Sequence, residues 1–253
     1  DLPERLRYAL RIAGPLLAVS VNSPFFPPDL YDADGETVLS ECWMENRIPV
    51  FESVLNPENS RKVAFPEDVD SLDDAVDRIA SDETVVPAEI TPKGRFDDAF
   101  AHFRHKHGSF WRWVRPVFGG STRKSANARI EFRPLPGQPT VQGTVSLLAV
   151  FAGLLQSLPR REHPVYHQSW ETAEANFYAA VRDGLDADLQ WVTADGTETT
   201  DTGELYAELF ELARDGLELR GLGAEEANRY IQPLRARVDR RMTPARWKHD
   251  RVT

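Results

Sequence analysis

The segment from Thr140 to Leu158 is apolar almost all round, with Val141, Val145, Leu147, Leu148, Val150, Phe151, Leu154 and Leu155 together covering most of a helix surface. Such a helix has no polar face for water, so the rest of the chain has to cover it. Just upstream the period changes. Arg129-Ile130-Glu131-Phe132-Arg133 alternates charged and apolar side chains, as a strand with one dry face does. Ile130 and Phe132 can then rest on the helix while Arg129, Glu131 and Arg133 face away. The longest apolar run, Val145 to Leu155, contains Ser146 and is too short to cross a bilayer, so a buried helix is the expected form.

A second strand is expected from Ser109 to Val117, joined to the first through a Gly- and Ser-containing connection and pairing with it antiparallel. It places Trp111, Trp113 and Arg115 on one face, and Pro116 holds Arg115 extended. At least one of the two Trp residues is expected in the core. The remainder reads as helices. Glu4 to Ile12 is interrupted by Gly14-Pro15, and Ser71 caps a helix through Ala80 with Asp73 and Asp74 in its first turn. Phe96 to His105 forms another. Helices at Glu171–Asp183 and Glu204–Arg220 stop at Gly184 and Gly221, and Ala224 to Arg241 is a final, basic one. Phe25 to Val54, rich in Pro and Asp, reads as a long ordered loop, and the acidic stretch Pro66 to Asp98 as a solvated cover. The expected class is α+β in a single unit over 1–253, with helices and a loop over 1–108, strands over 109–134 and a helical part over 140–241.

The net charge of −10 over 253 residues argues against a general nucleic-acid binder, which needs a basic surface. The single cysteine, Cys42, excludes an internal disulfide framework. No membrane segment and no signal peptide is read, and the cytoplasm is the expected compartment. The chain opens at Asp1 without Met, which leaves room for an upstream portion.

Two readings fit the polar face of the Arg129–Arg133 strand. A carboxylate between guanidiniums can ligate a divalent cation while the Arg forks take phosphate or carboxylate oxygens. The plainer alternative is a self-neutralising ladder of ion pairs on a solvated face, and spacing alone favours it. A rival centre is a zinc site on His102, His105 and His107, although no acidic motif accompanies them.

Longer motifs add a resemblance. His107-Gly108-Ser109-Phe110-Trp111-Arg112-Trp113-Val114-Arg115-Pro116, then Arg129 to Pro134, then Gln138-Pro139-Thr140, resemble the second half of the glutamate–cysteine ligase family of bacteria, archaea and plants. Asn22-Ser23-Pro24-Phe25 resembles its Asn-Ser-Pro-Phe loop. Glu174-Ala175-Asn176-Phe177 through Gly184-Leu185-Asp186-Ala187 resembles a helix end of the same family. The strand is also similar to one in glutamine synthetases.

The resemblance implies a glutamine synthetase-like antiparallel sheet packed on helices, from the C-terminal part of a catalytic domain. It implies an ATP- and Mg²⁺-dependent carboxylate–amine ligase acting on amino acids through an acyl phosphate, as in glutathione biosynthesis. Glu131 would ligate Mg²⁺, Arg133 would contact the substrate carboxylate and acyl phosphate, and Arg115 and Arg129 would meet nucleotide phosphates. Asn22, Ser23 and Arg47 would line the substrate loop. The Gly-x-Glu-x-Glu strand of family enzymes has no counterpart here. The natural chain is therefore expected to continue upstream, to need a partner or second copy, or to be a non-catalytic binding or regulatory domain.

Overall fold

The structure, a computed structural model, describes residues 1–56, 61–84 and 87–252; Val85 and Val86 of the acidic stretch lie outside these. In chain order the helices before the first strand are α1 (Leu2–Arg11), α2 (Ala13–Ala18), α3 (Gly35–Glu41), α4 (Arg47–Leu55), α5 (Leu72–Ser81) and α6 (Ala101–Ser109). The ribbon β1 (Val114–Gly119) and β2 (Asn127–Phe132) follows, then α7 (Val141–Ser157) and α8 (Trp170–Asp183). A short ribbon, β3 (Trp191–Val192) and β4 (Glu198–Thr199), precedes α9 (Thr202–Glu218), α10 (Ala224–Asp239) and α11 (Pro244–Val252). Helices with small antiparallel ribbons make the class α+β. Residues 1–7 and 51–133 form one compact unit, and 8–50 with 134–253 form a second.

In the first unit, Ser71 caps α5 by accepting from the Asp74 amide at 3.0 Å, as its sequence predicts. Lys106 closes the other end of that helix by donating to the carbonyls of Ala80 and Asp82 at 2.6 and 2.8 Å. The core gathers Phe65, Ile79, Phe110, Trp113 and Val114. Trp113 is buried, as expected of one of the two Trp residues, and its indole donates to Glu52 at 2.7 Å. The strand expected from Ser109 begins only at Val114, because Ser109 still belongs to α6. That helix in turn begins at Ala101, after a 3₁₀ turn over Phe96–Phe100.

In the second unit, α2 packs on α8, and α7, α9 and α10 pack on one another. The break between α1 and α2 falls at Ile12, one turn before Pro15, rather than at Gly14-Pro15 itself. Pro15 has no amide for the carbonyl of residue 11, and its ring crowds that carbonyl, so the helix parts there. Gly184, at φ +59°, ends α8 as its sequence predicts. Within the expected loop Phe25–Val54 two helices form. The overlooked signal for α3 is Asp34, whose carboxylate accepts from the Thr37 amide at 2.9 Å. The helix over 224–239 is not the last, since α11 follows it.

The expectation that α7 is covered all round is corrected, since Val141 is 82% and Leu148 59% exposed. The stretch Val141–Arg161 also has the length and hydropathy of a membrane span. Its packing is that of a helical core: a side chain on Gly153 would run into the Ala213 carbonyl of α9, and one on Gly216 into the carbonyl of Gly153. Backbone meets backbone at this crossing, which only glycine permits. Gly153→Val should therefore lower stability by about 1–3 kcal/mol or more in urea unfolding, whereas Leu148→Ala on the exposed side should stay within about 0.5 kcal/mol.

Candidate functional site

The chemistry-bearing residues form two clusters, one in each unit. In the first unit the ribbon register sets Arg115 opposite Glu131 and Val117 opposite Arg129. Side chains directly opposite share a face, so the Arg115 guanidinium reaches the Glu131 carboxylate. Arg115 Nε donates to Glu131 Oε2 at 2.7 Å, and Arg133 Nη2 lies 2.8 Å from the same oxygen. Arg115 Nη1 also donates to the carbonyls of His107 (2.8 Å) and Phe110 at the end of α6. Those carbonyls have no partner within the helix, and a cation there is favourably placed. Arg133 stacks on Trp111, its guanidinium carbon 4.6 Å from the ring centroid, and its amide donates to the Trp113 carbonyl at 2.8 Å.

A plus–minus–plus ladder does form, but its members differ from those expected. Glu131 takes Arg115 across the ribbon and Arg133 along it. Arg129 is exposed and makes no ion pair among the described residues. Register decides this, and register is not written in the spacing of one strand. Burial alone would raise the Glu131 carboxyl, but the hydrogen bond and charge of Arg115, with the charge of Arg133, hold it below its usual range. Three guanidiniums to one carboxylate leave an excess of positive charge that suits phosphate or carboxylate oxygens.

Glu131 is the carboxylate of this ribbon face. One oxygen of Glu131 is shared by two guanidiniums, and no group of three His, Cys, Asp or Glu that could hold a metal exists among the described residues. The three-histidine zinc centre fails on the same ground. His107 is buried with its Nε2 3.3 Å from the Pro116 carbonyl.

In the second unit Asn22, Ser23 and Arg47 do come together, around a residue the sequence did not single out. Glu45 is fully buried. Its Oε2 accepts the Asn22 amide at 2.9 Å, and its Oε1 lies 3.5 Å from Arg47 Nε. The end of α8 positions it: the amides of Met44 and Glu45 donate to the carbonyls of Arg182 and Val181, each at 3.0 Å. Asn46 fixes the loop from the other side, its amide donating to the Ser23 carbonyl at 2.8 Å. Asn22 Nδ2 donates to the Gly137 carbonyl at 2.6 Å, while Lys248 of α11 donates to the Asn22 carbonyl at 2.6 Å. The Asn22 Oδ1 is buried with no hydrogen-bond partner among the described residues. Arg47 Nη2 donates to the Pro134 carbonyl, and burial pulls its pKa down against the opposing charge of Glu45. Asn176 is buried and clasps the backbone of Gln190 from both sides, its Nδ2 donating at 2.7 Å and its Oδ1 accepting at 2.9 Å.

The model of glutamate-cysteine ligase family 2 matches residues 1–253, the entire length. The chain belongs to that family. No curated protein and no solved structure matches it.

His107 supplies a pH test of the first cluster. Its pKa lies below the ordinary 6.5, chiefly through burial, with the nearby charge of Arg115 adding to the shift. The unfolded chain therefore takes up a proton near that value that the folded chain refuses. Stability is complete above about 6.5 and falls as the pH drops from there towards the folded-state pKa. Unfolding midpoints should decline between neutral and mildly acid pH. His107→Gln, which can keep the bond to Pro116, should make the decline shallower.

Proposed function

We propose that the chain is a carboxylate–amine ligase of the glutamate–cysteine ligase type that uses ATP and forms a γ-glutamyl amide. The match of the family over the whole chain carries this reading. The glutamine synthetase-like arrangement of the sheet and a cytoplasmic location belong to the same proposal.

In this reaction a substrate carboxylate oxygen attacks the terminal phosphorus of ATP, and ADP leaves. The amine nitrogen then attacks the acyl carbon of the resulting acyl phosphate, inorganic phosphate leaves and the nitrogen loses a proton. Chemistry of this kind asks a protein mainly for positioning and charge neutralisation. Arg133, held flat on Trp111 and fixed by its own backbone bond, is assigned to the substrate carboxylate and the acyl phosphate. Arg129, exposed and outside the ion-pair ladder, is assigned to nucleotide phosphates together with Arg115. Two nitrogens of Arg115 are already engaged, so its part is to hold the ladder in place as well as to add positive charge. Glu131 sets the spacing of the two guanidiniums that share its oxygen. Glu131 would be the carboxylate to hold a Mg²⁺ brought in with the nucleotide, which would supply charge neutralisation at the phosphates.

In the second unit the unpartnered Asn22 Oδ1 suits an ammonium donor such as the α-amino group of an amino acid, and Arg47 suits an α-carboxylate. Ser23 follows Asn22 in the loop and bridges to Glu45, the residue that also meets Arg47. Substrates of this size and charge make amino acids the expected partners.

The test is ADP release with glutamate, ATP, a divalent cation and a panel of amines. Arg133→Ala should lower turnover by about 10²–10³-fold, the scale of losing one charge-stabilising donor, with an unchanged circular dichroism spectrum. Unchanged turnover in Arg133→Ala would remove that residue from the mechanism. Glutamate binding by the wild-type chain with no ADP release under any amine would make the chain a binding module instead.

A further inference from the structure

Helix α7 has two apolar sides, and the second unit covers only one of them. The buried side holds Gly143, Leu147, Val150 and Leu154, and α9 and α10 pack on the helix. Val141, Val145, Leu148 and Ala152 lie on the opposite side, and all four are exposed. At 100° per residue they fall within about 60° of one another. Their spacing of four, three and four residues is that of the apolar seam along which two helices pair. No charged residue occurs anywhere in Val141–Ser157.

Three features of this face fit a second copy of the same chain. The first is its relief. Beside the stripe, α7 and α10 border a groove of about 410 Å³ whose lining includes Val141, Val145 and Tyr230. Leu148, one turn further on, stands out from the surface and does not line the groove. The face thus carries both a protruding apolar side chain and a hollow that can take one. A two-fold axis across the stripe seats each copy's Leu148 in the other's groove, the reciprocal contact of a closed dimer. The second feature is charge. Glu226 and Arg229 line the groove from α10, and Arg229 pairs with Glu225 at 3.9 Å across open surface. The rim therefore holds two carboxylates and one guanidinium beside an uncharged helix, whereas the chain as a whole carries −10. Two such chains repel over most of their surface, and least where the charge is lowest. The third is size. A helix of 17 residues is about 25 Å long. Two such faces with their α10 rims bury on the order of 1,000 Å² in total, the lower bound for a specific interface.

We propose that the exposed side of α7, with the groove beside it, is the interface of a weak, reversible homodimer. The proposal does not rest on the ligase reading.

Sedimentation equilibrium of the whole chain over about 1–500 µM tests it, and a monomer–dimer equilibrium with a Kd of about 1–100 µM is expected. Leu148→Glu places a charge in each groove and should raise Kd at least about tenfold. Leu148→Ala, which leaves the stability of the fold unchanged, should raise it about tenfold through the two leucines lost per dimer, and it decides the matter if Leu148→Glu fails to fold. Val54→Glu, at an exposed apolar position of the first unit, should leave Kd unchanged. The proposal is overturned if the wild-type chain stays monomeric throughout that range. A monomer that instead binds phosphatidylcholine vesicles through Leu148 would give this face to a membrane and overturn it too. It is equally overturned if both Leu148 variants dimerise as the wild type does, or if Val54→Glu weakens the dimer as much as they do.

Discussion

The guanidinium of Arg115 is the interaction on which the first unit turns. It joins the open end of α6, through the carbonyls of His107 and Phe110, to the Glu131 carboxylate on the neighbouring strand. One side chain thus ends a helix, fixes the orientation of the strand that follows, and sets the position of the carboxylate that Arg133 also uses. Arg115 is buried, and a buried charge is tolerable only when fully engaged. Burial, with the nearby charge of Arg115 adding to it, also draws the His107 pKa below its ordinary value.

The second unit depends on a comparable device built around a buried carboxylate. Glu45 is placed by the last carbonyls of α8, and in turn it places the Asn22 amide and Arg47. The helix-end motif from Val181 to Ala187 therefore serves the Asn22-Ser23 loop, although the two are remote in sequence. Asp186 from the same motif pairs with Arg241 and Arg246, which brings α11 into the assembly. Gln138 adds a further tie, its Nε2 donating to the Ser20 carbonyl at 3.0 Å and its Oε1 accepting from Arg237 at 2.8 Å. The Asn22-Ser23 loop, the Gln138 segment and the helix end from Val181 to Ala187, all resembling the ligase family, thus have structural tasks of their own.

Both clusters carry charged groups of the kind that the proposed reaction calls for. The ribbon face of the first unit offers guanidiniums in excess of carboxylate, which matches phosphate and carboxylate oxygens. The Asn22 loop offers an unpartnered acceptor beside an arginine, which matches an amino acid with its paired charges.

Local signals determined a good part of this protein from sequence alone. Ser71, Gly184 and Gly221 marked helix ends correctly because caps depend on residues close in the chain. The strand Arg129–Phe132 and its antiparallel partner were legible from their period, and the motif order pointed to the ligase family. Asp34 was legible too, as the cap of α3, but the surrounding Pro and Asp hid it. Only the tertiary structure decided which arginine meets Glu131, because that depends on ribbon register and not on spacing within one strand. The same holds for Glu45, whose partners Asn22 and the end of α8 lie far away in sequence, and for Gly153 and Gly216, which matter only where two helix backbones touch. The physical reason is one throughout: caps and periods are settled within a few residues, whereas the pairing of buried charges and the closest backbone contacts are settled by chain segments that meet only after folding.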